Sequence, residues 1–224
     1  MADATNTTAV TVAITGASGA PYGLRLVEML LAAGRRVDLV ISRAGRLVLE
    51  QECHLMLPDS VPDANRILKE MWPHGTELLN LYGNNDWNSP LASGSARGRA
   101  MVICPCSMGT LAAVANGMSD NLLERAADVA IKEKWPLILV PREAPLSVIH
   151  LSNMLRLAQL GVTILPAAPG FYHCPASVNE LIDFVVARIL DHLAIGHTLV
   201  PPWSGGLAGG MMKESHQTMG SYGA

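Results

Sequence analysis

Aromatic residues make up only 4% of the chain and charged residues 16%, while half of its 224 residues are hydrophobic. Net charge is −3 and no block of Lys or Arg occurs, so the sequence offers no footprint for nucleic acid. No uninterrupted apolar run approaches the roughly 20 residues that a membrane helix needs. Residues 1–10 lack both a basic stretch and an apolar stretch, so they do not read as a signal peptide. Four cysteines, at 53, 104, 106 and 174, are too few and too apolar in setting for a disulfide framework. Cys104 and Cys106 are separated by one residue rather than two, which misses zinc and thioredoxin spacing. The expectation is a cytoplasmic protein with reduced thiols. The seven histidines form no H-x-x-x-H or H-x-x-E-H pair. No metal site is expected, and His150, His173 and His192 read as structural. A G-x-S-x-G elbow, the G-x-G-x-x-G fingerprint and a P-loop lysine are all missing.

What is present is a regular alternation of strands and helices, in a chain long enough for one core and too short for two ordinary domains. Residues 10–15 (VTVAIT) read as a strand that ends in a glycine cluster, and 22–33 as a helix stopped by Gly34. A second strand at 37–41 leads from Ser42 into a helix reaching about Glu52. Residues 57–95 look irregular, with one helix near 64–71, and read as an excursion across one edge of the domain. Alternation then resumes with strands at 100–104, 136–140 and 162–165 and helices at 120–133, 147–160 and 177–193. This pattern predicts a single α/β domain over 1–203, a doubly wound, mainly parallel sheet with helices on both faces. Residues 204–224, rich in Gly and Met, are expected to form a mobile tail. A mean hydropathy of +0.27 exceeds what one core hides, which predicts a homo-oligomer.

In an open parallel sheet, ligands bind outside the carboxyl ends of the strands. The loops expected there carry Gly16, Ala17, Ser18 and Gly19; Ser42 and Arg43; Ser107, Met108, Gly109 and Thr110; Arg142 and Glu143; and the 169–173 stretch with Tyr172. Small hydroxyls, backbone N–H groups and an arginine on one rim suit a phosphate-bearing ligand. Ser18 at a strand-to-helix junction could hold an anion, or the glycines could serve a tight turn alone. Arg125 and Lys132, seven apart on one helix, share a face; pairing with Asp128 and Glu124 is the plain alternative. Glu143 after a buried strand could shuttle a proton or form a structural ion pair. Glu52 has the weaker case, since it could simply close a helix with Glu50 and Gln51. Trp87 and Trp203 lie outside periodic core segments, and suit either loop anchors or an aromatic wall for a flat ring or a cation.

Five blocks in order, residues 15–23 (TGASGAPYG), 105–107 (PCS), 124–129 (ERAADV), 141–143 (PRE) and 171–173 (FYH), resemble the flavin prenyltransferases of the UbiX type. The resemblance runs from about residue 12 to 203. It implies a Rossmann-like or flavodoxin-like flavoprotein, a homo-oligomer (usually a dodecamer) with sites at subunit boundaries. It implies reduced FMN as prenyl acceptor, without metal, lined by Gly16, Ala17, Ser18, Ser42, Ser107, Met108, Gly109, Thr110 and Arg142. It further implies that Lys132, Arg142, Tyr172 and Arg188 hold the phosphate of dimethylallyl monophosphate. Glu143 would be the acid–base residue, with Ser18, Glu52, Arg125, Trp87 and Trp203 near the reacting groups. The product would serve a separate UbiD-type decarboxylase. A flavin-dependent decarboxylase of the phosphopantothenoylcysteine type is the runner-up; it would place a His where this chain has Leu47. A flavin carrier without catalysis is the third reading.

Overall fold

The computed structural model describes residues 9–95 and 99–201. Six strands form one sheet: β1 Ala9–Ile14, β2 Arg36–Ile41, β3 Leu79–Tyr82, β4 Arg99–Cys106, β5 Leu137–Pro141 and β6 Thr163–Ile164. The helices between and after them are α1 Ala20–Ala32, α2 Arg43–Cys53, α3 Val61–Met71, α4 Met108–Ala115, α5 Leu122–Lys132, α6 Val148–Gln159 and α7 Val178–His192. Strand order is β3-β2-β1-β4-β5-β6, and every neighbouring pair is parallel. This is the doubly wound sheet that the alternation predicts. Chain progression reverses between β1 and β4, so the loops leaving their carboxyl ends diverge and open a crevice.

Successive residues of a strand face opposite sides, and here both sides are dry. Val10, Val12 and Ile14 of β1 pack in one cluster with Leu26 and Leu30 of α1, Leu49 of α2, Leu68 of α3 and Ile189 of α7. Ala13 of β1, Val40 of β2 and Ile103 of β4 turn the other way, onto Leu111 of α4, Leu123 of α5 and Leu157 of α6. Helix starts are set by side-chain caps at Ser42, Ser60, Ser107, Asn121, Ser147 and Ser177. The exception is α1, whose N-cap Gly19 sits at φ 117° and has no capping side chain of its own.

One strand was not expected. Residues 57–95 contain β3, a four-residue edge strand in register with β2 from Val37↔Leu79 to Val40↔Tyr82. Its LNLY sequence is short, and its alternate residues are only half buried, as an edge position allows. A charged cluster also sits inside the sheet face. Asp38 of β2 is fully buried and receives Arg99 Nη1 at 2.6 Å, Arg36 Nε at 3.2 Å and Asn80 Nδ2 at 3.4 Å.

Among the α-helices α6 is the least covered: of its twelve residues only Leu157 is buried. Val148, Ile149, Leu151 and Leu155 stand exposed, with Leu146 and Leu160 flanking them. The expected 204–224 tail and Trp203 lie outside the described residues.

Candidate functional site

The crevice between β1 and β4 is closed at its base by one threonine. Thr15, buried directly after β1, donates its hydroxyl to the Pro105 carbonyl at 2.8 Å and accepts from the Ser107 backbone N–H at 2.8 Å. Its own backbone N–H donates to the same carbonyl at 3.2 Å. The turns after the two strands are therefore tied to each other, and the starts of α1 and α4 share one rim. The start of α2 joins them: Ser42 N–H donates to the Ile14 carbonyl at 3.0 Å. Close approach here depends on glycine. A side chain at Gly16 would collide with Ala44, and one at Gly45 would stand 3.0 Å from the Ile14 carbonyl carbon.

Above this base lies an ionic cluster. The Glu52 carboxylate accepts the backbone N–H groups of Gly19 at 2.8 Å and Ala20 at 2.9 Å, and the Ser18 hydroxyl reaches it as well. Glu52 therefore supplies from the end of α2 the cap that α1 lacks. Partial burial pushes its carboxyl up. The hydrogen bonds from Ser18, Gly19 and Ala20 and the charge of Arg142 outweigh that and hold it below the usual carboxylate range. Arg142 Nε donates to the Ser18 carbonyl at 3.2 Å, which brings the end of β5 into the same group. Glu143 follows, exposed, with one oxygen accepting from the Ala144 N–H at 3.1 Å and no cation on it among the described residues.

These contacts decide several of the expectations. Ser18 and Arg142 are in contact, Ser107 is tied to Thr15 three residues before Ser18, and Glu143 directly follows Arg142. The Gly19 and Ala20 N–H groups at the start of α1 are taken by Glu52, so an anion held at Ser18 would not find them free. Glu52 does not merely close α2. Glu143 makes no ion pair among the described residues. Ser42 and Ser107 spend their hydroxyls on caps, accepting from Gly45 N at 3.0 Å and Thr110 N at 3.3 Å, while Ser107 also donates to the Thr110 hydroxyl at 3.0 Å. What α4 then offers is an open start: Gly109 is exposed, with nothing within 4 Å of where a side chain would stand. Met108 is buried beneath it.

Other expected residues lie apart. Arg125, in the first turn of α5, donates to the Ala92 carbonyl at 3.1 Å and pairs with Asp128 at 2.7 Å, so the plain pairing with Asp128 holds. Lys132 is the last residue of α5, about 16 Å along the helix axis from its start and shortly before β5 begins, hence toward the amino edge of the sheet. It pairs with Glu133. Within one chain Lys132 does not reach the crevice. Trp87 is half exposed on the loop after β3. Tyr172 and Arg188 border a cavity of about 530 Å³ enclosed by α7, Tyr172 and the 195–201 segment that follows α7. Cys104 and Cys106 are free thiols whose pKa burial pushes far up. Among the described residues no three His, Cys, Asp or Glu side chains gather as metal ligands would. The sequence reading missed Thr15; a hydroxyl at the last position of the 10–15 strand, directly before the glycine cluster, is the signal that could have revealed it.

The Flavoprotein family model matches residues 2–190. A flavin prenyltransferase UbiX from Pseudomonas aeruginosa is 55% identical over 194 residues, 87% of this chain and 93% of that protein. Its counterpart from Halalkalibacterium halodurans is 49% identical over 193 residues, 86% of this chain and 92% of that protein. Among solved structures, AnUbiX (PadA1) in complex with FMN and dimethylallyl pyrophosphate superposes with a TM-score of 0.77 at 35% identity, covering 88% of this chain and 97% of that one. A dodecameric FMN-dependent UbiX-like decarboxylase from Escherichia coli O157:H7 gives 0.76 at 37% identity, covering 88% and 98%. A phosphopantothenoylcysteine-type (PPC) decarboxylase variant, at 21% identity and a TM-score of 0.51, shares the fold alone. With 55% identity over an alignment that spans 87% of this chain and 93% of that relative, the chain belongs to the Flavoprotein family and, within it, to the UbiX-type flavin prenyltransferases.

Proposed function

We propose that this chain joins a dimethylallyl group from dimethylallyl monophosphate to N5 and C6 of reduced FMN. The observation that carries the reading is 55% identity over 87% of the chain to a flavin prenyltransferase. The strand-end crevice supports this reading, with an open α4 start at Gly109 and a hydrogen-bonded group of Ser18, Glu52 and Arg142. Gly16, Ala17, Ser18, Ser42, the 107–110 turn and Arg142 would hold FMN. The bound, reduced flavin supplies the nucleophilic positions that accept the prenyl group.

The protein's part is electrostatic. Breaking the allylic C–O bond leaves a phosphate and an allylic cation. Arg142, Lys132, Arg188 and Tyr172 would bind the departing phosphate through charge-assisted hydrogen bonds. The π faces of Trp87 and Trp203 would shelter the cation without trapping it. Glu143, its carboxylate held by one backbone N–H and by no cation among the described residues, is the group to accept the proton released at ring closure. Ser18, Glu52 and Arg125 lie near the reacting groups in this reading.

A homo-oligomer completes the site. The exposed apolar face of α6 supports assembly, and the placement of Lys132 away from its own crevice supports its contribution to a neighbour's site. A dodecamer in the cytoplasm, feeding a UbiD-type decarboxylase, is the full form of the proposal. The test is anaerobic incubation with reduced FMN and either dimethylallyl monophosphate or the diphosphate, then mass analysis of the extracted flavin. A flavin heavier by one prenyl unit with the monophosphate is expected; unmodified flavin with both donors overturns the reading.

A further inference from the structure

Arg188 lines its cavity together with Tyr172, Phe184, Asp191 and His197. Three of these side chains form a relay. Arg188 Nη1 donates to Asp191 Oδ2 at 2.6 Å, and His197 Nε2 lies 3.0 Å from Asp191 Oδ1. The Leu199 backbone N–H donates to His197 Nδ1 at 3.3 Å. That last contact assigns the tautomer. A ring nitrogen that accepts from an N–H carries no proton, so neutral His197 carries its proton on Nε2 and donates it to Asp191.

An Arg–Asp pair spaced i,i+3 on a helix is ordinarily a surface ion pair of small consequence. Here the carboxylate is gripped from two sides, each oxygen taking one donor, and the second donor comes from beyond the end of α7. His197 is 9% exposed while Arg188 is 51% exposed, so the buried end of the relay is fixed and the guanidinium end faces the cavity. Arg188 uses one nitrogen on Asp191 and has no other protein partner among the described residues. Its remaining N–H donors are available to a ligand. The His197 N–H also draws on the carboxylate's charge, so Asp191 orients the guanidinium while neutralising it less than a lone carboxylate would.

We propose that Asp191 and His197 are positioning residues that hold Arg188 for the phosphate of the prenyl donor. This rests on the assignment of Arg188 to that phosphate made above. The test measures binding of dimethylallyl monophosphate to the FMN-loaded protein by calorimetry, alongside steady-state kinetics. Asp191→Ala and His197→Phe should weaken donor binding and raise KM about three- to fivefold, with kcat within about twofold of wild type and FMN affinity unchanged. His197→Gln retains an N–H donor and an acceptor and should bind the donor as wild type does. In an Arg188→Ala background, Asp191→Ala should add nothing, because its effect passes through Arg188. Where Asp191→Ala fails to assemble, Asp191→Asn, which preserves shape, should show the same weakened binding.

Wild-type donor affinity in Asp191→Ala, full additivity with Arg188→Ala, or a wild type that does not bind the donor would each overturn the inference. Binding is read independently of turnover. A wild type that binds the donor, and binds it less well as Asp191→Ala, supports the relay even if no prenylated flavin forms and the proposed activity falls.

Discussion

Replacing Thr15 by Val would test whether the crevice is held shut at its base by a single hydroxyl. Valine keeps the branched shape and deletes two hydrogen bonds of 2.8 Å. The Pro105 carbonyl keeps a partner, since the Thr15 backbone N–H still reaches it at 3.2 Å, so that side loses about 1 kcal/mol. The Ser107 N–H is left without an acceptor in a half-buried position, which costs about 1–2 kcal/mol. The sum is roughly 2–3 kcal/mol, and it falls on the junction between the β1 and β4 turns rather than on the sheet at large. Denaturant unfolding at fixed protein concentration should register the loss, and amide exchange at Ser107 should quicken. FMN titration should show weaker binding, by up to roughly tenfold, because the two loops proposed to line the flavin are no longer tied. Thr15→Ser retains the hydroxyl and should recover most of both effects. Thr15→Val with stability within about 0.5 kcal/mol of wild type and unchanged FMN affinity would refute the reasoning.

Two further outcomes follow from charges described above. Asp38→Ala removes the acceptor of a buried arginine and should destabilise the fold by about 3–5 kcal/mol in denaturant unfolding; a loss under about 1 kcal/mol would mean that Arg99 finds water or another partner. Glu52 has a pKa lowered in the folded state from its ordinary value of 4.5, so its contribution to stability is present above that value and lost as pH falls through the folded pKa. The melting temperature of wild type should therefore exceed that of Glu52→Gln at neutral pH, and the gap should close in acid below about pH 4.5; a gap that widens in acid would contradict the assignment.

The main lines of the fold were legible because period-two and helical spacing are strong wherever both faces of a strand are dry. VTVAIT and PLILV could hardly be anything else. Strand β3 was not legible: four residues at an edge, with half-buried alternate positions, carry little pattern. The site was legible to the extent that it follows from topology. Knowing where strands end placed Ser18, Ser107, Arg142 and Glu143 on one rim before any contact was known. Contacts between distant segments were not legible. Nothing local to Glu52 says that its carboxylate caps a helix thirty-odd residues earlier, and Thr15 looked like the end of a strand. Asp38 stood in plain view as a charge inside RVDLVI, yet only the sheet register shows that Arg99, two strands away, answers it.

Because Glu52 sits on the first helix's exposed N–H groups, that mouth of the crevice already contains its negative charge. The carboxylate there is not alone: the Arg142 guanidinium stands beside it and reaches the Ser18 carbonyl, so the two charges answer each other at the lip. The start of the first helix is thus satisfied from within the chain, and the open start of the fourth helix at Gly109 is the one left uncovered among the contacts described.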